Sequence, residues 1–366
     1  MKKATLLLIL LSLSISPFSF AQEREKLDSV FINNKDLLAR EVILKFKKKI
    51  AENYFVDTIS LTIKKEFIQK LSYLDFEIEP KKLKLVPKNR REEFKKEIDR
   101  FANKTKNSNS TSSFESTFAF QQKSLEKASI KSISAPKITS AEVKLRDFPK
   151  LIEEFETILS KYIDKEDHFT IKTGVFPIDR DLAINDKSLS YENESQHALN
   201  TYSWPKEKII NPGLMPFLSH EEAYDYKIKK TFFYQEQKAY KINFKPKKNR
   251  AKLTGFCIIS TEDFALLRAK YELVEGEKAW GVNLKFPLGV KVNQPLYFGE
   301  LSYKKNTSGK YIPTYYELSE GEYTYLHRDI LIKTQTGFFK RSDKLKINFL
   351  MESQEVTTQK FSFSAF

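Results

Sequence analysis

Ala239-Tyr-Lys-Ile-Asn-Phe-Lys-Pro-Lys247 decides the fold. Tyr240, Ile242 and Phe244 alternate with Lys241 and Asn243. Successive side chains of a strand point to opposite faces, so this period of two describes a strand with one buried and one wet face. Working outward, Val282, Leu284 and Phe286 alternate with Asn283 and Lys285. Leu345, Ile347 and Phe349 alternate with Lys346 and Asn348, and Phe361 and Phe363 with Ser362 and Ser364. Asn306-Thr-Ser-Gly309 and Glu320-Gly321 carry turn residues between such runs. Roughly ten strands are expected from His168 onward, joined by hairpins and short loops. No helical pattern alternates with them, which excludes a parallel α/β sheet.

Upstream, the period changes. Leu38, Val42, Phe46 and Ile50 recur every four residues beside Ala39 and Ile43, giving a helix capped by Asn34 or Asp36 and running to Asn53. Thr58–Ile63 and Tyr73–Ile78 alternate as two strands. Asn89 and Glu92 have the spacing of a capping box, opening a helix through Phe94, Ile98 and Phe101. Residues 103–140 turn polar and Ser-rich, as in Asn107-Ser-Asn-Ser-Thr-Ser-Ser113, and are expected to form a linker or mobile loop. A helix follows from Pro149 to Tyr162, with Leu151, Phe155, Ile158 and Leu159 on one face. The expected organisation is a signal peptide (1–21), an N-terminal helix/strand region (22–102), the 103–140 segment and an antiparallel β domain (141–366). The fold class is α+β and mostly β: a large curved antiparallel sheet with a few packed helices.

Lys2 and Lys3, the apolar run Leu6–Ile15 and Ser19-Phe20-Ala21 form a cleaved secretory signal. The run is shorter than the ~20 residues of a membrane-spanning helix. Residue 22 is Gln rather than Cys, so no lipoprotein anchor is expected. The net charge of +15 falls to +13 when the two signal lysines leave. Export removes nucleic acid as a partner. It leaves an envelope protein, a glycan, an anionic membrane surface or a lipid, in the periplasm or at the outer membrane. Much of this charge is lysine on solvated faces, which favours solubility. The single cysteine, Cys257, lies in the apolar run Leu253–Ile259 and reads as a buried structural thiol. The 30 Phe and 17 Tyr suit strands and a large core.

No catalytic constellation emerges. His168, His197, His220 and His327 are scattered, none at the i, i+4 spacing of a helical zinc motif. His220-Glu-Glu222 reads as a polar turn, and His327-Arg-Asp329 as cross-strand pairing. The sequence lacks a Gly-x-Ser-x-Gly elbow and a phosphate-cradling glycine loop. Its 48 carboxylates single out no pair, and Trp204 and Trp280 read as core or rim aromatics. No catalytic, metal or cofactor-binding residue is assigned, and ligand-binding residues stay unassigned.

Four segments carry a family resemblance: Tyr224-Asp-Tyr-Lys-Ile228, Ala239–Lys247, Leu253-Thr-Gly-Phe-Cys-Ile-Ile259 and Asp263-Phe-Ala-Leu-Leu-Arg-Ala-Lys-Tyr271. Together they resemble a block of the carboxypeptidase-like regulatory domain-containing envelope proteins of Bacteroidota. Ala39-Arg-Glu-Val42 is similar to the helix preceding that block, and His168–Phe176 to another segment. Those proteins usually begin with a small β-sandwich, for which this chain has no room after its signal. The family name implies no peptidase activity. The block itself reads as a meander, with Gly255 marking a bend or a close backbone approach. A helix on a long bent sheet is similar to the half-barrel of bacterial lipoprotein carriers. Two roles follow: a noncatalytic binding or scaffold protein, or a carrier of an apolar ligand if the inner face is left unfilled.

Overall fold

A computed structural model describes residues 34–54, 58–106, 108–122, 128–134, 137–138, 148–163, 169–173, 176–178, 211–247, 250–334 and 343–365. The signal segment, His168, His197 and Trp204 lie outside the described residues. Three long helices, α1 (Asn34–Tyr54), α2 (Arg91–Thr105) and α3 (Phe148–Tyr162), accompany strands joined in one antiparallel sheet. The strands are β1 (Ile59–Leu83), β2 (Asn109–Gln122), β3 (Ala128–Ser132), β4 (Lys137–Ile138), β5 (Phe169–Thr173) and β6 (Phe176–Ile178). They continue, after the single turn α4 (Pro216–Ser219), with β7 (Tyr224–Tyr234), β8 (Gln237–Pro246), β9 (Leu253–Ser260) and β10 (Leu266–Leu273). Last come β11 (Gly281–Leu284), β12 (Val290–Lys305), β13 (Tyr311–Thr334) and β14 (Lys344–Ala365). The sheet runs β3-β2-β1-β14-β13-β12-β10-β9-β8-β7, with β11 on β12, β4 on β2, and β5 on β13 and β6. Register shifts interrupt the β1–β14, β12–β13, β10–β9 and β7–β8 ladders. Bulges of this kind bend strands and raise their twist, which curves a long sheet.

The alternation expected of Tyr240–Phe244 is present: Ile242 and Phe244 are buried, paired with Cys257 and Gly255 of β9. Other expectations need correction. Thr58–Ile63 and Tyr73–Ile78 are one strand, and Leu74, expected in phase with Phe76 and Ile78, is exposed. The register jumps from Tyr73↔Ser353 to Asp75↔Glu352, so Leu74 is the extra residue of a bulge that inverts the phase. Asn89 and Glu92 form no capping box. Lys88–Arg90 is a 3-10 turn, and α2 starts at Arg91 without a side-chain cap. Within the expected 103–140 linker, the described residues include the end of α2 and β2, β3 and β4, with β2 paired to β1 from Asn109↔Ser72 to Gln122↔Ile59. Serine and threonine do not forbid a strand. Here the backbone ladder and the burial of Phe118 and Phe120 order the segment. Nor is the N-terminal region separate from the β domain, since β1 lies inside the sheet between β2 and β14.

The three helices cover one face of the sheet in two places. α1 buries Ala39, Val42, Ile43, Phe46 and Tyr54 in a first core with β7–β10 and neighbouring parts of β1, β2, β12, β13 and β14. Its C-terminal end is fixed by polar contacts: the Tyr54 hydroxyl donates to the Leu266 carbonyl at 2.8 Å, and Asn53 donates to the Asp263 carbonyl at 2.9 Å. α2 and α3 form a second core from Phe94, Ile98, Phe101, Leu151, Ile158 and Tyr162 against Phe76, Ile78, Leu345, Ile347 and Met351. Cys257 is fully buried in the first core, and burial raises its thiol pKa well above the usual range.

Candidate functional site

Strand register shows that both cores lie on the same face. Across β2, β1, β14 and β13, one row of side chains reads Ser116–Lys65–Phe361–Tyr316. The next rows on that face read Phe114–Phe67–Gln359–Leu318, then Ser112–Gln69–Thr357–Glu320, then Ser110–Leu71–Glu355–Glu322. Beyond them the face returns to apolar residues, with Met351 and Leu326 joining Phe76 in the second core. A polar belt therefore crosses the helix-bearing face between two filled cores. Its side chains are mostly half-buried, whereas those at the centres of the cores are closed to solvent.

The belt is rich in hydrogen-bond acceptors. Gln69 Nε2 donates to Glu355 Oε1 at 2.7 Å, and Gln294 Nε2 donates to Glu320 Oε1 at 3.1 Å. Glu322 accepts from the Thr324 hydroxyl at 3.3 Å. Desolvation, and then repulsion from Glu355, hold the Glu322 carboxyl above its ordinary pKa, against the Thr324 hydrogen bond. Such a pair of carboxylates gains from any ligand that brings donors or positive charge between them.

At the rim towards the first core stands Lys65, whose side chain is 1% exposed. Its ammonium faces the rings of Phe67 and Phe361 at 5.7 and 5.6 Å, and desolvation pushes its pKa down to about 8. The Ser116 hydroxyl and the Gln359 carbonyl oxygen are buried beside it without a hydrogen-bond partner. Polar atoms of this kind are rare in folded proteins, and each is an available contact for a bound molecule or water. The Phe67 and Phe114 rings stack at 4.8 Å between Lys65 and Gln69.

A tyrosine group supports the belt from the side. Tyr271 of β10 pairs with Gly255 on one neighbour and Gly299 on the other. A Cβ at Gly299 would lie inside the Tyr271 ring, and one at Gly255 would meet the Lys270 carbonyl oxygen. The glycines thus let Tyr271 lie across the strands towards Tyr297 and Tyr316, and the close approach expected at Gly255 is present. Burial, then the neighbouring tyrosines, raises the phenol pKa of Tyr271.

The sequence singles out no catalytic, metal or cofactor-binding residue and does not by itself single out the belt. Its signal was present: Leu61, Ile63, Lys65, Phe67, Gln69 and Leu71 keep one phase, and two of them are polar. Among the described residues, no three His, Cys, Asp or Glu side chains converge as a metal site. His220 is an exposed turn residue with Ser219 Oγ at 2.8 Å from its Nδ1. His327 lies 3.1 Å from Asn348 Oδ1, and Asn348 donates to Asp329 at 3.2 Å, as cross-strand pairing requires. Trp280 is neither core nor belt and is exposed at β11. The inner-face aromatics Tyr73 and Phe76 of β1 are core, packed under α2 and α3.

No family model and no curated protein matches the chain. Among solved structures, a LolA superfamily protein from Nitrosomonas europaea aligns over 90% of this chain and 93% of its own, at 8% identity and a TM-score of 0.22. MucB in complex with MucA(peri) aligns over 86% and 93%, at 6% identity and a TM-score of 0.19. The MucA/MucB complex of Pseudomonas aeruginosa aligns over 85% and 93%, at 6% identity and a TM-score of 0.21. At these scores, the description of the fold rests on the chain's own strand registers.

Proposed function

We propose that this is an exported, noncatalytic binding protein of the bacterial cell envelope, related to the carboxypeptidase-like regulatory domain-containing proteins of Bacteroidota. Its ligand is polar and donor-bearing, such as a glycan, and sits on the belt of Gln69, Thr357, Glu355, Glu322 and Glu320. The observation that carries this reading is the filling of the inner face by α1 on one side and by α2 and α3 on the other. The helices occupy the apolar surface a lipid would need, and polar side chains line the gap between them. The family relationship rests on the sequence resemblance of α1 and the β7–β10 block. The signal segment, with Lys2, Lys3 and its apolar run, supports export.

The test begins with protein purified from its native envelope without detergent. Aqueous and organic extracts are analysed by mass spectrometry, for the wild type and for a Glu322→Gln/Glu355→Gln variant. The expected result is a polar molecule in the aqueous extract, depleted at least tenfold by the double substitution. A stoichiometric lipid in the organic extract would instead establish a carrier.

A further inference from the structure

Val282, Leu284 and Phe286 are expected from sequence to have a buried face, but all three are exposed: 40%, 42% and 94%. Trp280, at 40%, precedes them in the same phase. The β11–β12 hairpin pairs Val282 with Val292 and Leu284 with Val290, so one face of the ribbon carries Trp280, Val282, Leu284, Val290 and Val292. Through Val290↔Leu326 and Val292↔Thr324 this is the sheet face that bears the second core. The hairpin thus carries that apolar face outward beyond its packed part, with Phe286 at the tip.

Positive charge predominates within the hairpin itself, with Glu277 directly before Lys278 and Glu352 opposite Tyr325 on the neighbouring strand β14. From Lys278 to Asn293 the sequence has three lysines, Lys278, Lys285 and Lys291, and no Asp or Glu. Lys285 Nζ stands 3.7 Å from the Tyr325 ring centroid and Lys291 Nζ 5.2 Å from that of Tyr323, on the ribbon's other face. A tryptophan and branched aliphatics on one side, an exposed phenylalanine at the tip, and lysines and tyrosines on the other side fit the boundary between lipid headgroups and acyl chains. A bilayer accepts an almost fully exposed phenylalanine without a matching pocket. The hairpin lysines are drawn to anionic headgroups, and the positive net charge of the chain adds long-range attraction.

We infer that the β11–β12 hairpin is a membrane-docking element that inserts Trp280, Leu284 and Phe286 into the interface of an anionic bilayer. This does not depend on what occupies the belt. The chain has two tryptophans, so a Trp204→Phe background makes Trp280 the reporter. The mature protein is mixed with vesicles of phosphatidylcholine alone or with about 30% phosphatidylglycerol, and binding is read by co-sedimentation and by the Trp280 emission maximum. The expected result is a blue shift and co-sedimentation with the anionic vesicles, weaker on neutral ones. Phe286→Ser, at a site that supports no core, is expected to reduce binding about tenfold, and Lys285→Gln/Lys291→Gln to remove the preference for anionic lipid. Absence of binding to either vesicle, or binding unchanged by Phe286→Ser, overturns the inference. Concentration-dependent dimerisation abolished by Phe286→Ser, without vesicle binding, overturns it in favour of a contact between copies of the chain.

Discussion

Lys65 occupies an inward position of the interior strand β1, where its neighbours in phase are Ile63 and Phe67. A lysine is seldom fully buried, because removing its charge from water is costly. The pKa of about 8 expresses that cost. An unfolded lysine titrates near ~10.4. Between the two values the unfolded chain binds more protons, so this residue makes stability rise with pH across that window, and its penalty is fully present below the lower value. Lys65→Met is therefore expected to stabilise the protein by about 1–3 kcal/mol at neutral pH and to flatten the rise in the alkaline range. Urea unfolding on both sides of the window measures this. A less stable variant at neutral pH would show that the native protein gains more from the charge than burial costs. Gly299 sets the opposite kind of constraint. With Tyr271 lying over it, Gly299→Val is expected to cost about 2 kcal/mol or more by displacing the ring. The phase of β1 marks Lys65 as an inward lysine, but its full burial and the role of Gly299 emerge only when the neighbouring strands are placed.

Among the elements, the helices were the most legible, because a four-residue apolar period over several turns has few alternative readings. α3 begins and ends within one residue of the expected positions, and α1 ends within one, its start at Asn34 lying closer to the Asn34 than to the Asp36 alternative. What the pattern left open was their job. α3 buries Leu151, Ile158, Leu159 and Tyr162, and its Tyr162 hydroxyl donates to Glu97 of α2 at 2.7 Å. That bond, after burial, pushes the phenol up to about 12. A helix that fills the inner face should be costly to trim. Leu151→Ala is expected to destabilise by about 2–4 kcal/mol and to increase binding of an apolar dye. A cost below about 0.5 kcal/mol would mean that α3 only rests on the surface. Strands were less legible where a bulge changed phase, as at Leu74, or where serine and threonine diluted the alternation, as in β2. Both are settled by pairing with a distant strand, which a local window does not contain.

At the scale of the molecule, β1 joins what the sequence separates. It pairs with β14 from Leu61↔Ala365 to Leu83↔Leu345, so the N-terminal third and the C-terminus share one ladder. Residues 141–366 alone lack α1, β1, α2 and β2–β4, and so lose an interior strand, the α1 cover of the first core and the α2 part of the second. That fragment is expected to show no cooperative thermal transition, whereas the mature chain unfolds in one; calorimetry distinguishes them. The sequence by itself determined the antiparallel class, the long helices and the buried thiol, because each is written in a local run of residues. Tertiary structure alone decided that the helices fill both apolar parts of one face, that Gln69, Glu322 and Glu355 meet between them, and that the β11–β12 hairpin stands exposed. These follow from strand order and register between residues far apart in the chain, and alternation along one strand says which side chains share a face without saying what covers it.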